Sequence, residues 1–221
     1  MSTVPIRKID TLWEVVVGAE TWSLLAAERR SLLAYLQTLG DADWARPSLC
    51  AGWTVKDTVA HLAVGAANTP PRFIKDIVTA GFKFDVMTER AVKAESATTG
   101  PELVTRFESL VDAHTQPGGA MVGEAMVHGE DIRRALGGPP GPHTPASLLF
   151  VANLYKKAGA PVRGKKRVEG LKLTSTDVPW TTGEGAAVSG PLLSLILAMT
   201  GRQAALDDLT GDGVAVLRSR G

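Results

Sequence analysis

Apolar residues recur every three or four positions from residue 20 to about residue 158, and after residue 168 they alternate with polar ones. A period near 3.6 predicts helices and a period of two predicts a half-exposed strand, so the change divides the chain. In Glu20 to Leu39 the repeat is carried by Leu24, Leu25, Leu32, Leu33 and Leu36, and Gly40 stops it. An earlier start, around Ile9 to Val17, is left open. Pro47 and Gly52 break the loop ADWARPSLCAGW. Thr54 then reads as an N-cap, with Asp57 in the capping-box position, for a helix running through His61 to about Ala67. Further helices are predicted at Phe73–Phe82, Asp85–Glu95, Pro101–His114, Gly119–Leu136 and Ala146–Ala158. Pro101 and Glu102 suit a first turn.

The basic stretch AGAPVRGKKR, Ala158 to Arg167, reads as a linker. VEGLKLTSTD is the predicted strand, Thr181 to Ser189 a turn or second short strand, and Pro191 to Thr200 a buried helix ended by Gly201. The tail DLTGDGVAVLRSRG fits a short helix or a strand. The expected architecture is α+β: a helical bundle over residues 1–160 and a small α/β domain over 161–221.

Composition narrows the function classes more than it selects one. The 221 residues are 44% hydrophobic, enough for a sizeable core, with 24 basic against 23 acidic residues. So balanced a charge offers no global field to nucleic acid or a membrane surface. The most apolar segment, Pro191 to Met199, falls far short of the roughly 20 residues that span a bilayer. A single cysteine, Cys50, and no apolar leader after a basic start point to a soluble protein of the reducing cytoplasm. Lys156, Lys157, Arg163, Lys165, Lys166 and Arg167 cluster about the linker and are read as a solvated hinge, not a nucleic-acid surface.

Candidate chemistry enters at GEAMVHGEDIRRALG, Gly123 to Gly137. Glu124 and His128 stand four apart, hence about 40° apart around a helix, on the stripe that also holds Met121 and Ile132. A buried carboxylate and imidazole must pair or hold a metal, and Glu-x-x-x-His can do either. Of the four histidines, His114 reads as a helix-end residue and His143 as a solvated loop residue. His61, among Trp53, Val55, Val59 and Leu62, is either a hydrogen-bonded core histidine or a third ligand. Three protein ligands leave an open coordination position, as catalytic zinc sites do. Oxygen and nitrogen donors without thiolate also suit nickel, iron or manganese.

SLCAGWTVKDTVAHL (Ser48 to Leu62) followed by GEAMVHGEDIRRALG resembles the mycothiol-dependent maleylpyruvate isomerase family, within the DinB-like metal-binding four-helix bundles. AERRSLLAYLQTLGDADWARPS and VSGPLLSLILAMTGR are similar as well. The most specific parts are GW-x-V-x-D-x-x-x-H and E-x-x-x-H-x-x-D-x-R, in that order. The resemblance implies a DinB-like four-helix bundle followed by a small α/β domain, with a divalent metal, zinc in the isomerase, on His61, Glu124 and His128. It implies mycothiol or a similar thiol as cofactor, activated for isomerisation of, or S-transfer to, a small electrophile. It also implies a catalytic arginine late in the chain, for which Arg202 is the candidate, although Arg202 is read as a solvated helix end before a catalytic residue. The competing expectations are a non-catalytic metal-binding or regulatory bundle and a metal-assisted hydrolase. Among neighbouring residues, Asp57 is read as a cap before a partner of His61, Asp131 as a surface partner of Arg134 before an orienter of His128, and Cys50 as a packed thiol.

Overall fold

The computed structural model describes residues 18–115 and 118–221, which form two compact units divided between Gly141 and Pro142. The predicted early start of the first helix, Ile9 to Val17, lies outside the described residues.

The first unit is helical: α1 Ala19–Leu36, a 3₁₀ turn Asp41–Ala45, α2 Val55–Ala67, α3 Pro70–Thr79, α4 Phe84–Ala94, α5 Gly100–Ser109 and α6 Gly118–Ala135. Helix α1 packs on α6 and α5, while α2 packs on α4, α5 and α6. Their shared core holds Leu32, Leu36, Trp44, Val59, Leu62, Phe107 and Ile132. Gly100 is obligatory there, because a Cβ would lie 2.3 Å from the Trp44 ring.

The predicted capping box opens α2. Thr54 Oγ1 accepts from the Asp57 amide at 3.2 Å, and the Asp57 carboxylate accepts from the Thr54 amide at 2.9 Å. Thr54→Ala is expected to cost about 1–2 kcal/mol, read as a lower thermal midpoint by circular dichroism. The prolines at 70 and 71 both end α2 and start α3, since proline fits a helix's first turn. Helix α5 stops at Ser109, five residues before the predicted end. His114 therefore caps no helix; its ring stacks on Trp22 with centroids 4.3 Å apart.

The second unit runs α7 Pro145–Tyr155, a short α8 Gly164–Arg167, β1 Leu171–Ser175, β2 Thr181–Thr182, β3 Ala186–Gly190, α9 Leu192–Met199, a 3₁₀ turn Gln203–Asp208 and α10 Val214–Ser219. The sheet order is β2-β1-β3. β1 and β3 are parallel, with Leu173 opposite Val188; β1 and β2 are antiparallel, with Leu173 opposite Thr182. Alternation puts Leu171, Leu173 and Val188 inside against α9, all eight of whose residues are buried. Thr181–Ser189, left between turn and strand, is two strands. They are separated by Gly183 and Gly185, both at positive φ, where a Cβ would meet the carbonyls of Leu171 and Gly170.

Helix α7 packs on α9. The division at 141/142 therefore moves this helix out of the bundle expected to end at residue 160. Among the described residues no helix is long and apolar enough to cross a membrane.

Candidate metal centre

Two helices and one loop build the site. Helix α2 carries His61 two turns in from its cap, and α6, packed beside it, carries Glu124 and His128 one turn apart. The loop before α2 is folded by Ser48, whose amide donates to the Trp53 carbonyl at 2.9 Å and whose hydroxyl accepts from Thr58 Oγ1 at 2.9 Å. The Leu49 amide donates to the Asp131 carbonyl at 3.2 Å, fastening the loop to α6. These bonds bring the Trp53 ring to 5.1 Å from the His61 ring and 6.3 Å from the His128 ring, centroid to centroid.

One carboxylate oxygen, Glu124 Oε2, lies 3.1 Å from His61 Nε2 and 3.4 Å from His128 Nε2. The ligand atoms of all three residues fall within 4.8 Å of one another. Metal–ligand bonds of ~2.0–2.2 Å at tetrahedral angles place ligand atoms ~3.3 Å apart. The set therefore fits a small divalent cation with little movement. His61 and Glu124 sit at the edge of accessibility, with side chains 13% and 26% exposed, so the centre has a route to solvent.

Asp131 is the residue that spacing alone placed wrongly. It is fully buried, and its Oδ2 accepts from His128 Nδ1 at 2.9 Å. Arg134 approaches Glu130 at 3.5 Å. Once Nδ1 is committed to Asp131, the other ring nitrogen faces Glu124, which is how a ligand histidine is aimed. Asp57, in contrast, is a cap, with its carboxylate on Thr54.

Electrostatics follow from this packing. Burial opposes a charged His128, but the hydrogen bonds to Asp131 and Glu124 outweigh it and raise the imidazole to about 9. Burial likewise opposes ionisation of Glu124, yet hydrogen bonds from His128 and His61 hold its carboxyl far below the usual range. Without a cation the cluster thus keeps an anion and an imidazolium at neutral pH, and binding a divalent ion there would require loss of that proton.

Cys50 is the neighbour the sequence did not connect to this chemistry. Its sulfur lies within 4.8 Å of ligand atoms of His128 and Asp131, and the residue is half-buried. His114 is not among the clustered ligand atoms, and His143 belongs to the second unit. Arg202 also belongs to the second unit, where it follows α9 and donates from a guanidinium nitrogen to the Thr200 carbonyl at 3.3 Å.

Residues 25–116 match the family model described as the mycothiol maleylpyruvate isomerase N-terminal domain. Two solved structures share the fold at 17% identity, each aligned over 87% of this chain and 92% of its own. One is a crystal structure of the mycothiol-dependent maleylpyruvate isomerase, with a TM-score of 0.61. The other is a histidine-to-alanine mutant of the isomerase, at 0.58. Comparison with curated proteins found no match.

Proposed function

From the premise that residues 25–116 carry the mycothiol maleylpyruvate isomerase N-terminal domain, we propose that this chain is a metal-dependent enzyme that uses a low-molecular-weight thiol. Its reaction is isomerisation of, or S-transfer to, a small electrophile. The observation that carries this reading is the convergence of His61, Glu124 and His128 on one point, at separations that suit a divalent ion. Zinc matches the two-imidazole, one-carboxylate set best, and mycothiol is the cofactor named by the matching family. The bound ion supplies positive charge that favours thiolate over thiol at neutral pH, giving a nucleophile able to add to a conjugated double bond or displace a leaving group.

The chain's own residues set the terms of that chemistry. Two neutral imidazoles and one carboxylate would hold a divalent ion and leave it an open position for an anionic sulfur, with the Asp131 carboxylate behind His128 offsetting part of the remaining charge. Asp131 holds the Nδ1 proton of His128 and keeps Nε2 turned toward Glu124. Trp53 lies along both imidazoles and lowers the local polarity, which strengthens each charge interaction beside it. Arg202 enters as the candidate catalytic residue of the second unit, gripping a substrate carboxylate.

The test is a rate measurement on zinc-loaded full-length protein, with mycothiol and a panel of cis-conjugated acids and alkylating electrophiles. Turnover is expected to need both components, to vanish on chelation, and to fall with carboxylate substrates when Arg202 is replaced by alanine. Ester or amide cleavage without thiol would overturn the thiol's role. A metal-loaded protein inert toward every electrophile would make this a binding module.

A further inference from the structure

The second unit contains a cleft of about 740 Å³ that the proposed chemistry does not use. Lys156, Lys157, Arg163, Lys165 and Lys166 line it together with two carboxylates, Glu169 and Glu184. Its shape is built by backbone contacts. Gly164 sits so close to the end of α7 that a Cβ would lie 2.1 Å from the Tyr155 carbonyl oxygen, and the Lys165 amide donates to the Ala158 carbonyl at 3.0 Å. That closure folds the segment 156–163 back on itself, so cations from the end of α7 and from α8 face one space. Arg163 is held in the left-handed region, at φ 59°, a conformation that disfavours side chains and persists only where surroundings enforce it. Leu171 of the central strand also lines the cleft, with Thr182 and Gly183 at the end of the edge strand β2.

Positive charge exceeds negative in the lining, five cations against two carboxylates. Among the described residues no carboxylate comes within 4.0 Å of a charged nitrogen of Lys157, Arg163, Lys165 or Lys166. Lys156 lies 5.8 Å from the centre of the Trp180 ring. Behind the cleft Arg167 feels the same excess: burial first, then repulsion from Arg163 and Arg202, lowers its guanidinium pKa. Lys157, Arg163, Lys165 and Lys166 are solvent-exposed, as the bare sequence suggested, but they stand around one concavity.

We propose that the cleft is a binding site for a small, multiply charged phosphate compound, either an inorganic polyphosphate or a phosphate ester. Four of the five cations are lysines, compact point charges that bind phosphoryl oxygens, and the fifth is an arginine, whose planar fork matches phosphate as well. The volume lies in the range of small-ligand sites, about 300–1,000 Å³. A nucleic-acid strand fits less well. No aromatic side chain lines the cleft to stack a base. The proposal rests on the second unit alone and stands or falls independently of the metal chemistry.

The probes are inorganic tripolyphosphate and fructose bisphosphate, titrated by calorimetry into the metal-free full-length protein at low ionic strength. A single-stranded oligonucleotide is the competitor. Saturable one-to-one binding of tripolyphosphate is expected, weakened at least about tenfold by Lys165→Ala/Lys166→Ala. It should be kept by Lys165→Arg/Lys166→Arg and by His61→Ala. Binding of the bisphosphate as well would identify the ester form, and its absence the inorganic form. No saturable binding, equal affinity in the double-alanine variant, or tighter binding of the oligonucleotide would each overturn the proposal.

Discussion

His61→Ala is expected to lower zinc affinity about a thousandfold while leaving the metal-free protein folded. Apparent binding energies of about 10–16 kcal/mol for zinc in protein sites, shared among three or four ligands, amount to roughly 3–5 kcal/mol for each. His61 is the ligand whose loss isolates this term. It comes from α2, whereas Glu124 and His128 come from α6, so its removal takes away the contact that joins the two helices across the site. The remaining pair keeps its own geometry, because His128 is still fixed by Asp131 and Glu124 still faces it at 3.4 Å. Two readouts separate ligand loss from misfolding. Competition with a chromophoric chelator gives the affinity, and thermal midpoints with and without zinc give the linkage, which should vanish in the variant as RT ln(1 + [L]/Kd) falls. An unchanged affinity would remove His61 from the ligand set, and the three-residue site with it.

The site could be read this far from sequence because its determinants are short-range. The capping box at Thr54 and Asp57 involves residues three apart. The Glu124–His128 pair follows from the pitch of one helix, and His61 stands out as the polar side chain within the apolar stretch that follows Thr58 on its helix. Asp131 could not be read the same way. Spacing offered it both His128 at i−3 and Arg134 at i+3, and the choice depends on how far around its circumference α6 is covered. The structure buries residues 125–133 on all sides, so the aspartate has no surface on which to meet a solvated partner. An amphipathic stripe describes a helix with one wet face, and this stretch has none.

Longer-range features were hidden for the same physical reason. Cys50 approaches His128 and Asp131 across about eighty residues, through a loop held by Ser48 and by the Leu49–Asp131 backbone bond. No periodicity reports such a contact. Helix α7 was recognisable as a helix, but an apolar face does not say which neighbour covers it. Here α9 does so, and the unit boundary falls before α7 instead of after it. The basic run at 163–167 looked like a linker because Gly and Pro flank it, whereas Gly164 is the residue that lets α8 press against the end of α7.

Asp131→Asn should reveal how much of the site's behaviour is set one shell behind the ligands. An asparagine keeps the volume and one oxygen but loses the charge, and it can also turn its amide nitrogen toward His128 Nδ1, reversing the tautomer. Zinc affinity is expected to fall about 10–100-fold, the usual range for a carboxylate behind a ligand histidine. The pH dependence of stability supplies a readout that simple loss of packing would not move. In the metal-free protein His128 is raised from 6.5 to about 9 against the opposing effect of burial, through Asp131 and Glu124. A folded-state value above the unfolded one stabilises fully below about pH 6.5, and the benefit disappears as pH rises through about 9. At ~1.4 kcal/mol per pKa unit the loss is at most about 3 kcal/mol. Urea unfolding of the metal-free protein between pH 6 and 9.5 should show that decline in the wild type. In Asp131→Asn the loss should be smaller and end at lower pH, because burial then faces Glu124 alone. If both proteins declined in parallel and bound zinc within a factor of two of each other, Asp131 would be a packing residue and nothing more. The contrast with Asp57, an equally conservative position for Asp→Asn, supplies the internal control: its carboxylate caps α2 and touches no ligand, so its replacement should shift stability evenly across the same pH range.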